Sequence, residues 1–112
     1  MDGVTPASDD LYGMANLYPR TTGLPMTIWV SPRGGARHDA RVKVSVTGGD
    51  RMVPEGAAVV GIRPEPRLIE GDLSRADFAA VVRWIMLNRE ALIAFWEGEL
   101  DTIELGQKLV RV

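Results

Sequence analysis

The chain has 112 residues, the usual size of one domain, which argues against a two-domain enzyme with its site in an interdomain cleft. Hydrophobic residues make up 46% of the chain and charged residues 25%, a balance that excludes a wholly disordered or fibrous protein. The formal net charge of −2 excludes a global field that attracts nucleic acid or anionic membranes, and the absence of cysteine excludes disulfide bonds and thiolate nucleophiles.

Residues 1–22 are predicted to form an acidic N-terminal arm. They contain Asp2, Asp9 and Asp10 but no basic residue before Arg20, and their apolar side chains follow no sustained period. One interpretation is a flexible terminus, and the other is a segment whose Leu-Tyr pairs dock on the domain or on a partner. The chain has no signal-peptide pattern and no apolar run of membrane-spanning length, so we expect a cytoplasmic protein whose single domain covers residues 23–112.

Residues 26–70 are predicted to form an antiparallel sheet of three or four strands. Three β-type runs, at 26–30, 41–46 and 57–62, are separated by turns rich in glycine and proline, and residues 67–70 are a candidate edge strand. In the second run valines alternate with Arg41, Lys43 and Ser45. This alternation predicts a strand with one buried face and one polar face.

Three helices are predicted after the sheet, at residues 75–87, 89–97 and 102–109. Each begins with a side chain that can cap a helix, namely Ser74, Asn88 and Asp101, and Gly98 ends the second helix. If Asn88 does not cap, a single long helix from residue 74 to residue 97 replaces the first two.

Apolar residues recur at helical spacing between Phe78 and Trp96, which predicts a stripe that covers the hydrophobic face of the sheet. The segment is apolar on more than one side, so part of it is a candidate for self-association, namely Ala76, Ala79, Ala80 and Met86. The predicted fold class is therefore α+β, a three- or four-stranded antiparallel sheet followed by two or three C-terminal helices packed on one face.

No catalytic, cofactor or metal site is expected from the motifs. His38 is the only histidine, and no nucleophile elbow accompanies it. The acidic run Glu97, Glu99 and Asp101 begins like a calcium loop but lacks the glycine and the final glutamate that such a loop requires. A small enzyme that uses His38 is kept as one alternative.

The clearest functional signal is an asymmetry of charge. Residues 20–67 contain eight basic and four acidic residues, whereas residues 68–112 contain five basic and eight acidic ones. Five residues of the first part lie on one loop and on the polar face of the strand that follows it, and we predict that they form a partner-binding patch: Arg33, Arg37, His38, Arg41 and Lys43. Such a patch suits an acidic protein surface or the phosphates of a nucleic acid.

Four stretches of the sequence are similar to stretches of other proteins. They are LPMTIW at 24–29, ARHDARVK at 36–43, GIRP at 61–64, and the stretch 84–98, which begins with WIMLNR and ends with FWEG. Through them the chain resembles a group of small uncharacterised bacterial and phage-borne proteins. It is also similar to a domain-of-unknown-function family found beside toxin–antitoxin genes, in which a compact sheet precedes C-terminal helices. Where that family has Pro-His-x-His, this chain has RHDA at 37–40. The resemblance implies an α+β accessory or regulatory protein and no catalytic residue.

The predicted function is that of a non-enzymatic protein-interaction module, either an antitoxin-like regulator or a phage-borne inhibitor of a nucleic-acid-handling complex. One alternative is a nucleic-acid-binding module that uses the same basic patch, and the other is the His38 enzyme. We expect a protein partner, no membrane and no cofactor, with a homodimer as a further candidate.

Overall fold

The computed structural model describes residues 14–48 and 56–112. Its elements, in chain order, are β1 (Ala15–Leu17), α1 (Pro19–Thr22), β2 (Met26–Val30), β3 (Arg41–Gly48), β4 (Ala58–Gly61), β5 (Arg67–Glu70), α2 (Arg75–Trp96) and α3 (Thr102–Lys108). The strands form one antiparallel sheet in the order β1-β2-β3-β4-β5. The α+β class and the order of sheet before helices are confirmed, and the sheet has five strands instead of three or four.

The additional strand, β1, lies inside the segment predicted to be an arm. Ala15 is paired with Val30 and Leu17 with Ile28, and the Leu17 side chain is buried in the core. Three residues are too few to show an alternation of apolar and polar side chains, so the sequence carries no periodic signal for this strand. Residues 14–22 therefore belong to the folded domain, whereas residues 1–13 of the predicted arm lie outside the described residues.

The predicted alternation along the second run is correct for the first half of β3 and wrong for the second half. Ile28 pairs with Val44 but Met26 pairs with Gly48, so β3 has two more residues than β2 over this stretch. Such an irregularity interrupts the alternation of side chains along the strand. Ser45 is consequently buried, and Val46 is 52% exposed instead of buried.

The hydrophobic core lies between one face of the sheet, the inner face, and helix α2. Inner-face side chains from β2, β3 and β4 are almost fully buried: Ile28, Val42, Val44, Ala58 and Val60. They belong to the same cluster as the buried side chains of α2: Val81, Trp84, Ile85, Leu92, Phe95 and Trp96. Of these, Phe95 was not part of the predicted stripe, whereas the predicted Phe78 and Ile93 are partly buried. The stripe of α2 therefore covers the inner face, as predicted.

Helix α2 is one 22-residue element, as in the single-helix alternative, and it is interrupted at Asn88, the residue between the two helices predicted at 75–87 and 89–97. The Ser74 hydroxyl accepts from the backbone N–H of Asp77 at 3.0 Å, so the first predicted cap is confirmed. Asn88 has non-helical angles, φ −114° and ψ 15°, which produce a kink, but its side chain does not cap a second helix. Its amide nitrogen instead donates to the carbonyl of Trp84 at 3.0 Å, one turn earlier.

Helix α3 begins with the predicted capping box. A carboxylate oxygen of Asp101 accepts from the backbone N–H of Glu104 at 2.8 Å, and the Glu104 carboxylate accepts from the backbone N–H of Asp101 at 2.9 Å. Gly98, just after the end of α2, has φ +82°, a left-handed conformation that favours glycine. The acidic run at 97–101 thus forms the turn between two helices.

Candidate interaction surface

The loop between β2 and β3 holds three of the five residues predicted to bind a partner. The backbone N–H of Ala36 donates to the carbonyl of Arg33 at 2.8 Å, and Gly34 supplies a left-handed conformation inside this turn. The backbone N–H of Arg33 donates to the carbonyl of Trp96 at 2.9 Å. The loop is therefore attached to the C-terminal end of α2, on the helix side of the sheet.

A cluster of four charged side chains, here called the Arg63 cluster, strengthens this attachment. The Nε of Arg63 lies 3.0 and 2.9 Å from the two carboxylate oxygens of Asp39, and its Nη2 lies 3.2 Å from Oε2 of Glu97. Arg33 completes the cluster at 3.8 Å from Glu97. The cluster joins the β2–β3 loop, the turn after β4 and the end of α2, which are distant along the chain.

The hydrogen bonds of Arg63 set the ionisation of the cluster. Its guanidinium donates to both oxygens of Asp39 and so, together with a hydrogen bond from the backbone of Ala40, lowers the pKa of that carboxyl below its usual value. The same contact, followed by the one with Glu97, raises the pKa of Arg63. Both groups are therefore held in their charged forms, and their charges compensate each other.

His38 packs its ring against the end of α2. Its ring centroid lies 5.3 Å from that of Trp96 with the planes inclined by 34°, and its Nδ1 lies 2.9 Å from the backbone carbonyl of Asp39. These contacts fix the position of the ring on a buried aromatic side chain. Neither contact places a nucleophile or a carboxylate beside the imidazole, as a catalytic triad requires.

The other two predicted residues lie on the opposite side of the sheet, here called the outer face. Trp29, Lys43, Val59 and Glu70 are register partners on four neighbouring strands and form one row across it. The Lys43 ammonium lies 5.1 Å from the centre of the Trp29 ring, within the range of a cation–π interaction. The indole N–H of Trp29 is hydrogen-bonded to the sulfur of Met14, which fixes the ring from the other side.

A second row on the outer face consists of Arg41, Gly61 and Arg67. Gly61 has no side chain, and the space above it is occupied by Ile69 and by the aliphatic part of Arg67. Neighbouring strands are about 4.8 Å apart, so the backbones of Arg41 and Arg67 are separated by about 10 Å across the glycine. The outer face thus presents two arginines and one lysine beside a half-buried tryptophan.

The five predicted residues consequently do not form one patch. Arg33 and His38 contact the end of α2, Arg37 is exposed on the same loop, and Arg41 and Lys43 lie on the outer face. The charge of Arg33 faces Glu97, whereas Arg41 and Lys43 have Arg67 as a further positive neighbour across the sheet. With Glu70 as the acidic member of these two rows, the outer face carries a net positive charge.

Sequence reasoning missed several members of these surfaces. Trp29 was identifiable in principle, because it alternates along β2 with the apolar residues Ile28 and Val30, whereas the sequence of β5 shows no alternation that would place Arg67 on a face. Asp39, Arg63 and Glu97 carry no such signal, because their pairing depends on contacts across 24 and 34 residues.

Comparison with protein-family models, with curated proteins and with solved structures finds no match. Within residues 14–48 and 56–112, no three histidine or acidic side chains are close enough together to hold a metal ion. In the same part of the chain no helix has both the length and the apolar character needed to cross a membrane.

Proposed function

We propose that this protein is a non-enzymatic interaction module that binds an acidic protein surface through the outer face of its sheet. The observation that carries this proposal is the group of basic side chains on one face of the sheet: α2 packs on the inner face, whereas the outer face carries Arg41, Lys43 and Arg67. A protein with a net charge of −2 concentrates positive charge there.

The outer face has the composition of a binding surface. Arginine and tryptophan are enriched in protein interfaces, because they bury a large area and form directional contacts at the same time. Trp29 is already oriented by Met14 and Lys43, so little side-chain entropy remains to be lost when a partner binds. A sheet is also a rigid support, which keeps the spacing of the three charges constant.

The role as an antitoxin-like regulator or phage-borne inhibitor is the part of the proposal that rests on the sequence resemblance. A regulator of that kind acts by occupying a surface of its target. The outer face supplies such a surface without a cofactor or a conformational change.

The proposal is tested by affinity capture from lysate of the native host. Three baits are compared: the wild-type protein, the outer-face variant Arg41→Glu/Lys43→Glu, and the control Arg75→Glu/Arg83→Glu, which reverses two exposed charges on α2. We expect a protein that is retained by the wild type and the control, is lost from the outer-face variant, and is released as salt is raised. Equal retention by all three baits, or no retained protein, would contradict the proposal.

The nucleic-acid alternative is favoured by one specific observation, the half-buried Trp29 ring beside Lys43 on the outer face. Single-stranded nucleic acids bind to such faces by stacking bases on aromatic rings while cations contact the backbone. Treatment of the lysate with nuclease distinguishes the two: capture of a protein partner persists, whereas capture through nucleic acid is lost. Direct binding of a fluorescent 20-nucleotide oligo-dT, weakened by Lys43→Glu, would favour the alternative.

A further inference from the structure

Strand β5 forms an edge of the sheet, with β4 as its one neighbour among the described strands. All four of its residues are exposed, including Leu68 at 41% and Ile69 at 46%. An edge strand with exposed apolar side chains offers unpaired backbone groups to another strand. It is therefore the place in the described sheet where an additional strand can join.

The residues of β5 are complementary to their own reverse order. In an antiparallel pair of two such strands centred between residues 68 and 69, each Arg67 is opposite Glu70 of the other strand. Opposite charges at facing positions stabilise a pair of strands. An edge strand with only basic residues would repel a second copy of itself, whereas Arg67 and Glu70 of this strand attract each other between two copies.

The irregular register of β5 places the two opposite charges on the same face of the sheet. Leu68 pairs with Val60 but Glu70 pairs with Val59, so Ile69 is an extra residue in the strand. Arg67 and Glu70 are partners of Gly61 and Val59, which both belong to the outer face. The extra residue thus places both charged side chains on the same face, where facing residues of two strands can contact each other.

We infer that β5 binds a second copy of this chain, edge to edge and antiparallel, and that the two sheets continue as one across a twofold axis. Such an isologous contact uses the same four residues from each copy. The inference goes beyond the proposed function and shares Arg67 with it, whereas Arg41 and Lys43 lie on β3 and take no part in the edge contact. The four-residue ladder is small compared with stable interfaces of about 1,600 Å², so we expect a weak dimer.

Sedimentation velocity between about 1 µM and about 1 mM protein covers the affinity expected for such a contact. The wild type should change from monomer to dimer within this range. Each of the single variants Arg67→Glu and Glu70→Arg places two pairs of like charges opposite each other across the dimer. Each variant should therefore raise the dissociation constant of the dimer about tenfold or more. The double variant Arg67→Glu/Glu70→Arg restores opposite charges, and its dimerisation constant should return to within about threefold of the wild type.

Two controls separate this contact from others. Glu90→Arg reverses an exposed charge on α2 and should leave the dimer unchanged. Met86→Glu tests self-association through the exposed side of α2, which includes the predicted Ala76 and Ala79. A wild type that stays monomeric to about 1 mM, a double variant that fails to recover, or a dimer lost through Met86→Glu and retained by Arg67→Glu would overturn the inference. Circular dichroism confirms that each variant is folded, and the capture experiment with Arg41→Glu/Lys43→Glu is unaffected by either result.

Discussion

The side chain of Asn88 and the backbone of Val110 are joined by two hydrogen bonds, as two residues of neighbouring strands would be. The Asn88 amide nitrogen donates to the Val110 carbonyl at 3.0 Å, and the Asn88 oxygen accepts from the Val110 N–H at 2.7 Å. Asn88 is 3% exposed, so these bonds are largely shielded from water. The kink in α2 therefore provides the attachment point of the C-terminal segment.

Replacing Asn88 by alanine should lower the free energy of unfolding by about 2–4 kcal/mol. The substitution leaves the N–H and the carbonyl of Val110 without their partner in a partly buried place, and each unsatisfied group costs about 1–3 kcal/mol. Urea denaturation followed by tryptophan fluorescence measures the change. Glu90→Ala, at an exposed position two residues away, is the control and should change stability by less than about 0.5 kcal/mol.

Replacing Trp96 by alanine should cost about 3–5 kcal/mol, because the indole is 3% exposed and its removal creates a large cavity. The ring also supports His38, so the β2–β3 loop should lose part of its order in the same variant. Denaturant midpoints measure the first effect, and amide hydrogen exchange of residues 33–40 measures the second. An unchanged midpoint would contradict the assignment of Trp96 to the core.

Local features of the fold were predictable from the sequence, and long-range ones were not. The caps at Ser74 and Asp101 depend on side chains three residues from their partners, and strands β2, β3 and β4 are runs of four to eight β-type residues. The role of Asn88 depends on Val110, 22 residues away, which no local pattern reveals. The same holds for Arg63, whose two carboxylate partners come from a loop before it and a helix end after it.

The partner-binding residues illustrate the same limit. Arg33 and Arg41 are close in sequence and both basic, so composition assigned them to one patch. Their surroundings differ because the loop bends toward α2, where Glu97 compensates Arg33, whereas β3 directs Arg41 to the outer face. The sign of the charge was available from the sequence, but the face that carries it was not.

The contribution of Asp39 to stability should depend on pH. An acid whose pKa is lower in the folded chain than in the unfolded chain stabilises the fold above its unfolded pKa, and this contribution is lost as the pH falls through its folded pKa. The stability difference between the wild type and Asp39→Asn should therefore be complete at pH 7 and decrease below about pH 4. Because the Asp39 side chain is 53% exposed, the stability difference between the wild type and Asp39→Asn should stay below about 1 kcal/mol.

The partner of Asp39 provides the control for that measurement. In an Arg63→Met background the largest cause of the lowered pKa is absent and the hydrogen bond from the Ala40 backbone remains, so Asp39→Asn should change the pH dependence of unfolding less than it does in the wild-type background. An equal effect of Asp39→Asn in both backgrounds would show that Arg63 is not the cause.

Leu17→Ala should destabilise the fold by about 2 kcal/mol or more, because the side chain belongs to the core although it lies near the N-terminus. Asn16→Ala, in the same strand but with its side chain exposed, should change stability by less than about 0.5 kcal/mol. Thermal unfolding compares the two variants directly. Equal, small effects would mean that β1 contributes little to the folded domain.

Gly23→Ala should destabilise the fold more than Gly98→Ala does, although both glycines have nearly the same φ, +83° and +82°. Each substitution carries the cost of a left-handed alanine, about 1 kcal/mol. A Cβ at Gly98 meets no other atom, whereas one at Gly23 collides with the carbonyl of Val112, whose N–H donates to Thr22 at 2.9 Å. The difference between the free energies of unfolding of the two variants, measured with urea, therefore reports the close approach of the C-terminal segment to α1. Removal of Val112 takes away the colliding atom, so in that shortened chain Gly23→Ala should cost no more than Gly98→Ala. If Gly23→Ala still destabilises the shortened chain more than Gly98→Ala does, the packing of Val112 on Gly23 is not the cause of the larger destabilisation.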